Sequence, residues 1–133
     1  MNKEQFKHYV IGIPQLDREH WGLFQLLTKV QEAIVKGNSG VAKKTLDKFF
    51  VRLDEHCAHE EEIMRNCNYP YVDQHTASHP EATSQLGARR DIIVDNILYL
   101  DVGTMIDLLS NHIDYSDRHI TAFYIKEIKD DTK

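Results

Sequence analysis

Residues 46–67 read LDKFFVRLDEHCAHEEEIMRNC. Leu46, Phe49, Leu53, Ile63 and Cys67 recur at the three- and four-residue spacing that puts side chains on one face of an α-helix. His56 and Glu60 fill the gaps in that stripe, where apolar residues belong. A polar group in a core stripe is costly unless something satisfies it. The anomaly repeats on either side. Leu16, Leu23, Leu27, Val30 and Ile34 form a stripe interrupted by His20. Val72, Ala82, Leu86, Ile93, Ile97 and Leu100 form a third, interrupted by His75 and His79. Val102, Met105 and Leu109 lead into His112, with Asp117 beyond it. Seven such groups spread over four helices can satisfy one another by binding metal.

The breakers between these stripes are short. Gly37-Asn38-Ser39-Gly40 signals a turn, and Asn66 to Pro70 signals a corner. The spacing therefore predicts helices over about 16–36, 41–65, 71–99 and 101–127, with Asp17 and Asp101 as candidate caps. Residues 1–15 read as an irregular arm, and the charged stretch Lys129–Lys133 as a frayed tail. No stretch alternates with period two, so no strands are expected. Short connections between long amphipathic helices predict an all-α fold, an antiparallel up-down-up-down four-helix bundle with an N-terminal arm. The chain, 1–133, is expected to be a single domain.

Composition narrows the function classes. Hydrophobic residues make up 41% and charged residues 28%, a globular balance. A formal charge of -5 argues against broad attraction to nucleic acid or to an anionic membrane. No segment approaches the roughly 18 apolar residues of a membrane helix. Met1 to Ile13 is polar where a signal peptide would be apolar, which predicts a cytoplasmic protein. Cys57 and Cys67 lie about 15 Å apart along one expected helix, too far for a disulfide, so both are expected as free thiols.

His56 and Glu60 are four apart, as are His75 and His79, so each pair shares a helix face. His112 and Asp117 are five apart and diverge by about 140° on a regular helix. That pair works if Asp117 reaches a second ion or if the helix deforms. Five histidines and two carboxylates exceed the three or four ligands of a zinc site. They suit two bridged transition ions, and iron fits the mixed nitrogen and oxygen set, although ligand type leaves other metals open. His8, His59 and His119 fall off the stripes and read as surface residues, His59 as an i,i+4 partner of Glu55. Trp21 and Phe24 read as packing residues beside His20, and Cys57 points away from the expected metal. Leu23, Phe24 and Leu27 are neighbours of the site by spacing alone.

The segments Leu16-Asp17-Arg18-Glu19-His20, His56-Cys57-Ala58-His59-Glu60-Glu61, Tyr69-Pro70, His75-x-x-x-His79 and His112-Ile113-Asp114-Tyr115-Ser116-Asp117 resemble the hemerythrins, especially the single-domain bacterial ones. The resemblance runs from about residue 10 to residue 125. It implies two non-haem iron ions with an oxo or hydroxo bridge. It assigns His75, His79 and His112 to one iron, His20 and His56 to the other, and Glu60 and Asp117 to both. It implies reversible dioxygen binding at the open position of the second iron, for storage, delivery or sensing, and places Leu109 at that pocket. A monomer is the favoured state, and a sensor would need a separate output protein.

The second reading is a di-iron enzyme: an oxidase, a peroxidase or a nitric-oxide-handling protein. The nitrogen-rich site, without the Glu-x-x-His pairs of ferritin-like enzymes, favours binding over catalysis. A metal-free helical module is the third reading, disfavoured by the cost of burying so many polar groups. Two positions depart from the family pattern. Pro80 follows His79 and is expected to kink the helix there. Leu108 stands where many members carry tryptophan, which is expected to loosen the pocket wall.

Overall fold

The computed structural model describes residues 1–96 and 99–131, with side chains over 1–87 and 102–127. Among these residues the structure is helical throughout: α1 (Lys3–Phe6), α2 (Pro14–Val35), α3 (Ser39–Asn66), α4 (Val72–Asn96), α5 (Tyr99–Tyr115) and α6 (Thr121–Asp131). Short 3₁₀ turns cover Lys7–Tyr9 and Asp117–Ile120. α2 packs on α3 and α5, and α4 packs on the same two helices, which closes α2 to α5 into an antiparallel four-helix bundle.

Local chemistry sets the helix ends. Pro14 takes the first position of α2, where its missing N–H costs nothing. Asp17, expected as the cap, sits a turn inside instead. Its carboxylate accepts the backbone N–H groups of Ile11 at 2.8 Å and Gly12 at 3.1 Å, while Ile13 occupies the cap position. Gly37 adopts φ 71° and ends α2, since a residue with Cβ is strained there. Asn38 accepts the Val41 N–H through its side chain at 3.1 Å. The turn is therefore narrower than the Gly37–Gly40 signal suggested, because this cap lets Ser39 and Gly40 begin α3.

The stripes meet in one core. Leu16, Leu27, Val30, Leu46, Phe49, Val102 and Met105 are fully buried, each contributing about 1.5–3 kcal/mol for a fully buried large apolar side chain. Met64 is buried where Ile63 was expected, and Ile63 is half-buried. Ile93, Ile97 and Leu100 of the third stripe lie outside the described side chains.

Three expectations need correction. First, the arm is ordered rather than irregular. Phe6 is buried and packs on Trp21, ring centroids 5.0 Å apart, and on Phe24 at 5.9 Å. Second, Asp101, expected to cap the fourth helix, lies within α5, whose described residues begin at Tyr99. Third, the expected 101–127 helix is broken. α5 stops at Tyr115, the chain tightens into a 3₁₀ turn from Asp117, and α6 continues to Asp131, into the stretch expected to fray. Pro80 lies inside α4 without interrupting it. No described helix is long and apolar enough to cross a membrane.

Candidate metal centre

All seven polar groups that interrupt the stripes converge inside the bundle. Ligand-capable atoms of Glu60, His75, His79 and His112 lie within 4.8 Å of one another, and so do those of His20, His56, Glu60 and Asp117. Each helix of the bundle supplies at least one member. Glu60 comes from α3 and Asp117 from the turn after α5, and their two oxygens divide between the clusters.

Glu60 Oε1 faces the Nε2 atoms of His79 (3.0 Å) and His75, while Oε2 faces His56 Nε2 at 3.1 Å. Asp117 Oδ1 faces His75 Nε2 (3.1 Å) and His112 Nε2 (3.2 Å), while Oδ2 faces His20 Nε2 at 3.1 Å. One cluster thus has three imidazoles and the other two; Glu60 belongs to both, and Asp117, a member of the two-histidine cluster, reaches across to His75 and His112. The helix break makes this possible. On a regular helix Asp117 would point about 140° away from His112. The 3₁₀ turn brings it inward until it is fully buried.

Hydrogen bonding alone leaves the centre unsatisfied. Glu60 Oε2 and both Asp117 oxygens are buried without a hydrogen-bond partner, although imidazole nitrogens stand close to each. His20 Nε2 and His56 Nε2 face each other at 3.1 Å. The carboxylate oxygens that approach imidazole nitrogens without aligning as acceptors are aimed at common points between them. Buried orphans of this kind call for an ion. The donor set, imidazole with carboxylate, fits a transition metal.

Two of the other ring nitrogens carry supports that the stripes did not reveal, whereas His20 Nδ1 is buried without a partner. His56 Nδ1 donates to Glu19 Oε1 at 2.8 Å, and His79 Nδ1 donates to Glu61 Oε1 at 3.0 Å. Each bond holds the N–H on Nδ1 and frees Nε2 as a ligand. Glu19 Oε2 also accepts from His59 Nδ1 at 2.6 Å. His59 therefore pairs with Glu19 and not with Glu55, which pairs with Arg52 at 3.2 Å. The i,i+4 spacing was present, but the cross-helix carboxylate was better placed. His8 and His119 are exposed, as expected.

Electrostatics follow the geometry. Burial alone would pull the His56 pKa down, but the hydrogen bond to Glu19, the close Glu60 carboxylate and the charge of Asp117 raise it to about 10. Burial likewise lowers His75, and Asp117 and Glu60 outweigh it and raise the group to about 9. His79 is lowered by burial yet raised to about 11 by Cys57, Glu60 and Glu61. Burial and the Asp117 charge raise Glu60, but three histidines bring it down to about 2. Asp117, raised by burial, is held well below its ordinary value by His112, His20 and His75. The carboxylates thus demand positive charge between them, from protons or from a metal.

A cavity of about 320 Å³ opens between α3, α4 and α5 onto His56, His79, His112 and Asp117. Leu53, Leu86, Leu108 and Leu109 line its apolar wall, with Asn111 and Tyr115 among its polar members. Leu23 lines a separate groove between α2 and α3, and Phe24 and Leu27 are fully buried in the core. The His79 ring, next to Pro80, is held through both nitrogens. Cys57 and Cys67 are free thiols, and Cys57, expected to point away from the metal, instead lines this cavity and bonds to His79, because α3 turns that face toward α4.

A bacteriohemerythrin of Campylobacter jejuni is 24% identical over 122 residues, covering 86% of this chain and 89% of that protein. A myohemerythrin of Theromyzon tessulatum is 28% identical over 104 residues, covering 77% of this chain and 78% of that protein. No solved structure gives a significant match. The model of the hemerythrin HHE cation-binding domain matches residues 11–124, a span that holds all seven converging side chains. The chain belongs to the hemerythrin HHE cation-binding domain family.

Proposed function

We propose that this protein binds dioxygen reversibly at a pair of non-haem irons. His75, His79 and His112 would hold one iron and His20 and His56 the other, with Glu60 and Asp117 spanning both. The observation that carries this reading is the division of each carboxylate's two oxygens between the clusters. An iron pair supplies two electrons that can be lent to dioxygen and returned. The two-histidine cluster contributes one imidazole fewer, which leaves room there for a small ligand.

The chain's own residues hold the donors and control access. Glu19 and Glu61 fix the His56 and His79 rings. Leu53, Leu86 and Leu109 keep the approach apolar. Such a wall limits the water and protons that would turn a reversible adduct into oxidised metal.

A second reading, a di-iron oxidase, peroxidase or nitric-oxide-handling protein, is favoured by the size of the cavity. About 320 Å³ is far more than a diatomic needs, given about 30 Å³ per water in the liquid. The test is the ultraviolet–visible spectrum of the reduced protein before and after air, with iron counted per chain. Two irons and an absorption that appears with oxygen and vanishes on its removal support the carrier. Two irons with immediate, irreversible oxidation support the enzyme. No iron would overturn both.

A further inference from the structure

A second concavity lies on the opposite side of α3 from the cavity beside the metal ligands. It is a groove of about 560 Å³ between α2 and α3, within the range of about 300–1,000 Å³ usual for small-molecule sites. Its chemistry differs from the rest of an acidic chain of formal charge -5. Arg18, Lys29, Lys48 and Arg52 line it and are exposed. Arg52 pairs with Glu55 at 3.2 Å, whereas Arg18, Lys29 and Lys48 carry no ion pair among the described residues.

The register of the helices places these charges. Glu19 on α2 meets His56 on α3. Lys29 lies about 15 Å along α2 from that point, and Lys48 about 12 Å along the antiparallel α3. Both therefore stand at the end of the groove away from the metal centre, with Arg52 between. The floor is apolar: Leu23 and Leu26 are buried beneath it. Gly22 leaves a gap there, because a Cβ at this position would meet nothing within 4 Å. Glycine is a poor helix former, and at Gly22 it keeps open a trough that any larger side chain would fill.

We propose that this groove binds an amphipathic organic anion. Its apolar body lies over Gly22, Leu23 and Leu26, and its anionic group meets Lys29, Lys48 and Arg52. The body's far end lies against Glu19, the carboxylate that holds His56. The proposal rests on the groove and not on the metal's identity, so its failure leaves the dioxygen reading intact.

The test is calorimetric titration of the purified protein with flavin mononucleotide, a planar probe with a terminal phosphate. Riboflavin, which lacks the phosphate, is the control. Saturable one-to-one binding is expected, about tenfold weaker for riboflavin. Lys48→Glu/Arg52→Glu reverses the charge and is expected to weaken binding about tenfold or more. Gly22→Leu fills the trough without changing charge and is expected to do the same. Its Cβ meets no neighbour within 4 Å and leucine improves helix propensity, so a retained fold is expected, which circular dichroism checks. No saturable binding up to about 1 mM overturns the proposal. So does binding that survives either variant, or riboflavin binding as tight as that of the phosphate form.

Discussion

Glu60 touches three imidazoles from two helices, and among the described residues no other side chain of α3 joins the two clusters. Glu60→Ala is expected to drop bound iron well below two per chain and to lower the melting temperature, because metal binding and folding are coupled. Metal analysis and a thermal melt on the same sample check this. Full iron with an unchanged melt would refute the ligand assignment. Glu19→Gln is subtler. The amide still reaches His56 and His59 but no longer presents a charged acceptor. Metal is expected to be retained with affinity about 10–100-fold lower, read by competition with a chelator. Legibility divides along the same line. The seven converging residues were visible because each breaks an apolar stripe. Glu19 and Glu61 sit where carboxylates are ordinary on a helix surface, and only the rotation of one helix against another gives them partners.

At the scale of elements, α4 carries an internal proline and stays helical through it. Pro80 is exposed and cannot donate to the carbonyl of Thr76, whose own hydroxyl is buried without a partner. Pro80→Ala restores that helical bond and is expected to stabilise the protein by up to about 3 kcal/mol, with iron content unchanged. A melting temperature at or below the parent's would show that the proline suits a local distortion. The helices themselves were legible from period and breakers, to within a few residues at α2 and α3. The break at Ser116 was not. His112-Ile113-Asp114-Tyr115-Ser116-Asp117 contains neither glycine nor proline, and a uniform 3.6-residue period leaves no trace of a turn that tightens. The only hint was the five-residue gap between two metal-capable side chains. The arm was misread for a related reason: Phe6 and Ile11 have no helical repeat to announce that they are buried.

The whole molecule is built around charge that the fold alone does not neutralise. In the metal-free protein, His56, His75 and His79 have folded pKa values of about 10, 9 and 11, above the ordinary value near 6.5. Groups raised in this way lend stability that is complete below about pH 6.5 and is lost as pH rises through about 9 to 11. Glu60 and Asp117 are depressed, so their contribution is present above about pH 4.5 and fades as pH falls toward about 2. The chelated protein is therefore expected to melt progressively lower from pH 7 to pH 10. The metal-loaded protein is expected to resist that decline, since the ion replaces the protons. Melting curves of both forms across that range check it, and parallel curves would refute it.

The arm and the turn that carries Asp117 are stitched together across the length of the chain. Arg118, beside Asp117, donates to the carbonyls of Val10 at 3.1 Å and of His8, and Thr121 donates to the carbonyl of Ile11 at 2.7 Å. Residues 108 or 110 positions apart therefore hold the turn that brings Asp117 inward. Trimming the arm through Ile11 removes these three carbonyl acceptors while leaving all seven converging side chains in place. The arm works as a remote brace, and its loss is expected to loosen Asp117 and weaken metal retention.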